Sequence, residues 1–162
     1  TYGARYLFVE LDQTTFSLEG RLNVTLDPSL SLQVYVQPYI SSAEFGPPSE
    51  LRAPRTYDFL VYGRDIGTLE EGDGRYVVDP DGAGPAAPFT VAKPDSHLRS
   101  LRGNAVLRWE WRAGSTIYLA WQQDRSDIAA VGDFDFGRDR AALFGAPADN
   151  VFVLKVNYWL NP

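Results

Sequence analysis

Thr15-Phe16-Ser17-Leu18-Glu19-Gly20-Arg21-Leu22-Asn23-Val24-Thr25-Leu26 alternates from end to end. Phe16, Leu18, Gly20, Leu22, Val24 and Leu26 take one parity; Ser17, Glu19, Arg21, Asn23 and Thr25 take the other. Successive side chains of a β-strand point to opposite faces, whereas a helix would scatter these residues around its circumference. The segment therefore predicts a strand with one apolar and one polar face. Its length fits the ~9–11 tilted residues with which a barrel strand crosses a bilayer.

The rhythm recurs on both sides. Asp27-Pro28-Ser29 is a turn signal. In Ser31–Ile40, Leu32, Val34 and Val36 oppose Gln33, Tyr35 and Gln37. In Leu101–Arg112, Leu101, Gly103, Ala105, Leu107, Trp109 and Trp111 oppose Arg102, Asn104, Val106, Arg108, Glu110 and Arg112. Ala113-Gly114 makes a short turn. In Thr116–Asp124, Ile117, Leu119 and Trp121 oppose Tyr118, Gln122 and Asp124. At residues 150–160, Phe152, Leu154, Val156, Tyr158 and Leu160 oppose Lys155 and Asn157. A first strand, Arg5–Asp12, sets Leu7, Val9 and Leu11 against Tyr6, Phe8, Glu10 and Asp12.

Residues 43–98 and 127–149 are long, rich in Gly, Pro and Asp, and read as irregular loops of extracellular type. Both tight turns fall on one side of the strands and both long connections on the other, the asymmetry of outer-membrane barrels. Tyr57–Arg64 and Arg75–Asp79 would raise six strands to the eight that close a small barrel. Their alternation is broken, with Leu60 beside Val61 and Val77 beside Val78, so they read better as a hairpin outside the membrane. A helical turn is expected at Arg140–Phe144.

Composition limits the function classes. No run approaches the ~20 apolar residues of a membrane helix, but a barrel strand needs only every second residue apolar. The absence of cysteine removes disulfides, thiolate metal sites and cysteine nucleophiles. A net charge of −6 argues against nucleic-acid binding. The chain begins at Thr1 without a signal-peptide pattern, which reads as a processed mature chain or a piece of a longer one.

Candidate chemistry is sparse. Glu10, Asp12, Glu19, Arg21, Arg102, Arg108, Glu110 and Arg112 sit on the polar parities and are of mixed sign, which favours cross-strand ion pairing over a single-sign filter. No two carboxylates stand out as a glycosidase pair. His97, the only histidine, has no nucleophile motif to serve and reads as a solvated loop residue beside Asp95 and Ser96. Asp79-Pro80-Asp81-Gly82 and Asp133-Phe134-Asp135 have oxygens at calcium-like spacing but complete no EF-hand, and read as acidic turns. Glu70-Glu71-Gly72-Asp73-Gly74 reads as a flexible acidic loop. Gly63, Gly67, Gly72 and Gly74 lack the Gly-Lys-Ser/Thr of a phosphate loop. Trp109, Trp111, Trp121 and Tyr158 suit an interfacial aromatic girdle, whereas Trp159 faces inward by parity. The strand ending at Leu160 has the pattern read by the barrel-assembly machinery, with Asn161-Pro162 where an aromatic terminus is usual.

Ser100-Leu101-Arg102-Gly103-Asn104-Ala105-Val106-Leu107-Arg108-Trp109-Glu110-Trp111, followed by Gly114-Ser115-Thr116, resembles the C-terminal region of the domain of unknown function 5916 family. Glu10–Thr15, Gln37–Ser42, Asp79–Gly82 and Gly132–Gly137 extend the resemblance in the same order over nearly the whole chain. It implies a carbohydrate-binding-like module followed by a large outer-membrane barrel, of which residues 1–162 would be the last part. The sugar-binding module lies outside this chain, and the resemblance implies no activity for any residue.

The expectation is an all-β, antiparallel up-and-down meander in one domain, residues 1–162, forming part of a transmembrane β-barrel or, with eight strands, a whole small one. The expected role is structural or pore and transport in a Gram-negative outer membrane. No enzymatic activity and no catalytic, cofactor-binding or metal residue is expected. Expected partners are the lipid bilayer, upstream barrel strands or another chain, and the barrel-assembly machinery. With six strands the chain would not close alone. The alternative is a soluble β-sandwich that binds carbohydrate, with the same apolar face turned into a core.

Overall fold

A computed structural model describes residues 5–160. Its strands are β1 (Leu11–Ser17), β2 (Gly20–Asp27), β3 (Leu30–Phe45), β4 (Ser49–Leu51), β5 (Phe59–Val61), β6 (Thr68–Gly72), β7 (Arg75–Asp79), β8 (Phe89–Ala92), β9 (Ser96–Arg112), β10 (Ser115–Ala129) and β11 (Ala148–Asn157). One helix, α1 (Phe136–Gly145), precedes β11. The protein is all-β with antiparallel sheets. The large sheet has the order β1-β3-β9-β10-β11, with β2 also on β3.

The registers match the apolar parities. Leu22 faces Val34 and Val24 faces Leu32 across β2–β3. Leu119 faces Leu154 and Trp121 faces Phe152 across β10–β11. A slip of one residue would send every one of these side chains to the other face, so the alternation itself pins the pairing.

Two strand expectations need correction. Thr15–Leu26 is interrupted at Leu18-Glu19. Leu18 N still donates to Pro38 O at 3.1 Å, and the Thr15 and Ser41 hydroxyls meet at 3.0 Å, so β1 and β2 run along β3 in one register. Pro38 has no N–H to return, and the ladder loses a bond at that point. Arg5–Asp12 is not a separate strand. Only Leu11 and Asp12 belong to β1, while Phe8 exchanges backbone bonds with Ser49 at 2.9 and 2.8 Å and Glu10 O accepts from Gly46 N. The first two expected strands thus form one lane of the sheet, giving five lanes in place of six.

Residues 5–14, 42–97 and 129–133 form one compact unit; residues 15–41, 98–128 and 134–160 form another. The first holds β4–β8 where long irregular loop was expected. β4 pairs with β5, and β7 lies between β6 and β8. Its core is Tyr62, Tyr76 and Val78, with Leu7, Ile66, Leu69, Phe89 and Val91 against it. The acidic stretch at 70–74 is not a flexible loop. Glu70–Gly72 end β6, and Asp73 and Gly74, at φ 51° and 69°, form the two-residue turn into β7 that an Asp-Gly pair favours. The second unit centres on Ile40, Leu101 and Leu143, with Phe16 and Phe134 against them. The expected helical turn at Arg140–Phe144 lies inside α1, which starts where Asp135 accepts a bond from Arg138 N at 2.7 Å.

Among the described residues, the strand order of the large sheet ends at β1/β2 on one side and β11 on the other, and no closed barrel forms. Tyr57–Arg64 contributes only β5, and Arg75–Asp79 is β7; neither joins the large sheet.

Candidate functional site

The polar face of the large sheet is assembled by alternation alone. Arg21 faces Tyr35 and Asn23 faces Gln33. The Arg21 guanidinium lies 5.2 Å from the Tyr35 ring centre and 3.0 Å from Glu19 Oε1. Asn104 of β9 shares their recess. Arg102 reaches Asp124 of β10 at 3.3 Å, and Arg108 reaches Glu110 at 3.0 Å. Tyr118 faces Lys155 of β11, whose ammonium stands 5.9 Å from the ring centre. Ser100, Arg102, Gln122, Asp124 and Asp149 line a second shallow recess.

These pairs are water-exposed; the Arg21 and Arg102 side chains keep 71% and 70% of their accessible surface. Exposed pairs stabilise by about 0–1 kcal/mol each. The face thus presents exposed charges of both signs. Asp12 does not belong to it: along β1 it shares parity with Phe16, and Glu10 lies outside the strand.

The opposite face gathers the apolar residues, and away from Ile40 and Leu101, which pack under Leu143 of α1, much of it is exposed. Leu18, Leu22 and Leu26 are 54–60% exposed, and Phe152, Leu154 and Val156 are 56–69% exposed. Trp121 stacks on Phe152, and its indole N–H donates to Asn150 Oδ1 at 2.9 Å. Near the Ala113-Gly114 turn, Trp111 stacks on Tyr158, whose hydroxyl accepts from Arg112 at 3.2 Å. Trp159 lies beyond β11, where its N–H donates to the Ser115 hydroxyl.

Other singled-out residues hold structure. His97 is fully buried, contrary to the solvated loop expected. β9 begins at Ser96, and its alternation buries His97, Arg99 and Leu101 in turn. Asp79 Oδ1 accepts from Asp81 N and Gly82 N, and Asp81 Oδ2 from Ala86 N at 3.0 Å, so these oxygens stitch their own turn. Asp135 caps α1. No cluster of three metal-ligating side chains occurs among the described residues.

Two polar clusters in the first unit have no sequence signature. Buried Tyr62 donates its hydroxyl to Glu50 and accepts from Arg5 at 2.7 Å, with Arg5 and Glu50 themselves 3.2 Å apart. Burial, reinforced by the Glu50 carboxylate, pushes the Tyr62 phenol above its ordinary pKa. Lys93 lies 2.6 Å from Glu71 and 3.3 Å from Asp95, and the bond to Glu71 chiefly raises its pKa. Arg5 is 45 or more positions from Glu50 and Tyr62, and Lys93 is 22 from Glu71.

Comparison of the chain with protein families, curated proteins and solved structures finds no match.

Proposed function

We propose that this chain is part of the wall of a transmembrane β-barrel in a Gram-negative outer membrane, with a structural or pore-forming, transport-type role and no catalysis. The observation that carries this reading is the exposed apolar face. Leu22 and Val34, Leu119 and Leu154, and Trp121 and Phe152 meet across strands, yet Leu22, Leu119, Leu154 and Phe152 are 45–69% exposed. A carbohydrate-binding sandwich would bury this face; a barrel turns it to lipid and keeps the mixed-charge face in water. The strand order, with an end on each side, adds a requirement. Unpaired backbone groups facing hydrocarbon cost several kcal/mol each. β1/β2 and β11 therefore pair with further strands, from an upstream segment or another chain. The resemblance to the domain of unknown function 5916 family favours the upstream segment and belongs to this proposal.

Single nitroxide labels at Leu22 and Asn23, in protein reconstituted into vesicles, test it. A lipid-soluble quencher should reach position 22 and a water-soluble one position 23. Equal access of the aqueous quencher to both, or full extraction into buffer without detergent, would overturn the membrane reading. Conductance across planar bilayers separates an open pore from a filled scaffold.

A further inference from the structure

The geometry points to α1 as an interfacial ledge: a helix at lipid head-group level that inserts Phe136 and Phe144 among the outer acyl segments and offers Arg140 to the phosphates. This rests on the barrel reading.

The first support is placement. Leu143 of α1 is buried against Ile40 and Leu101. Ile40 shares parity with Val34 and Val36, and Leu101 with Leu107 and Trp109, so the helix lies on the apolar face. Arg125, of the same parity as Leu119 and Trp121, fastens it there by donating to the carbonyls of Phe144 and Ala146 at 2.5 and 3.2 Å. Phe16, in line with Leu22, meets Phe136 edge to face at 5.2 Å.

The second support is height. From the level of α1, where Leu101 lies under Leu143 and Phe16 meets Phe136, the face runs along β9 to Trp111 and along β1/β2 to Leu26, ten residue steps in each case. At about 3.3 Å per residue and a strand tilt of about 40°, ten residues rise about 25 Å, the height of a barrel's outward apolar band. The stacked Trp111 and Tyr158 mark one border. α1 stands at the other.

The third support is chemistry. Phe136, Arg140 and Phe144 recur every four residues and form one exposed stripe beside the docked Leu143. Phe136 and Phe144 remain 46% and 59% exposed. Two bare phenylalanines gain nothing in water, and an arginine between them is unsuited to the hydrocarbon centre. A stripe of both kinds matches the boundary, where rings enter the acyl region and a guanidinium reaches phosphate.

The chain has no cysteine, so single-cysteine variants carry a nitroxide at one site only. Labels at Leu22 (belt), Phe144 (stripe) and Arg138 (far side of α1 from the stripe, exposed) would be compared in vesicles of phosphatidylcholine and phosphatidylglycerol. Collisions with oxygen should exceed those with a nickel chelate at 22 and, at shallower depth, at 144; the order should reverse at 138. If 144 behaves like 138 while 22 stays in lipid, or is shielded from both agents, the ledge is wrong and the barrel reading stands. If 22 is also aqueous, both fall.

Discussion

Tyr62 joins two charged side chains to a buried ring. Its hydroxyl stands between Arg5 and Glu50, and the ring packs edge to face on Phe89 at 5.9 Å. Tyr62→Phe keeps the packing and removes the bridge; we expect a loss of about 1–2 kcal/mol in denaturant unfolding. The phenol's folded pKa lies above its ordinary value of about 10, so its contribution is full below that pH and fades as pH rises through the folded value. Tyr62→Phe should therefore flatten the alkaline limb of the stability profile. Asp65 works in the opposite range. Arg64 first, and then Val61 N at 2.9 Å, hold its carboxyl below the usual carboxylate pKa. That contribution is present at neutral pH and fades as pH falls through the lowered value. Asp65→Asn should reduce the acid sensitivity of amide exchange at Val61.

At the scale of elements, the hairpin turns and the helix start are set by local chemistry. Gly114 closes the β9–β10 hairpin at φ 77°, and a Cβ there would come within 3.0 Å of the Trp159 Cβ. Gly114→Ala is expected to cost about 1 kcal/mol, read as a lower unfolding midpoint. Asp135→Ala removes the α1 cap, also for about 1 kcal/mol, and should show as faster amide exchange at Arg138. Alternation made most of the strands legible. It did not reveal that Pro38 interrupts the ladder opposite Leu18, because that break depends on which residue faces which. Nor did it separate 5–10 from β1, since those residues alternate as well as any strand yet bond to Gly46 and Ser49.

At the scale of the whole molecule, the two faces of the large sheet make opposite demands on solvent. Leu119 pairs with Leu154 in the middle of the exposed apolar face. On the barrel reading, Leu119→Arg should destabilise the inserted protein by about 2–4 kcal/mol, whereas a water-exposed site would change by about 0.5 kcal/mol or less. Reversible unfolding from vesicles measures the difference. β11 offers a further check. Its outward amides should exchange rapidly in the chain alone and become protected once neighbouring strands are supplied.

Period-two alternation was enough, without any structure, to determine an all-β protein with one apolar and one polar face, because side-chain direction in a strand follows from covalent geometry. The Ala113-Gly114 hairpin and the helical turn near Arg140–Phe144 were equally local, set by a few adjacent residues. Only the tertiary structure decided that 43–98 folds around Tyr62, Tyr76 and Val78, that His97 is buried, and that α1 lies on the apolar face. Those outcomes depend on partners far apart in the chain, such as Arg5 with Glu50, Lys93 with Glu71, and Leu143 with Ile40 and Leu101. A local pattern carries no record of such meetings.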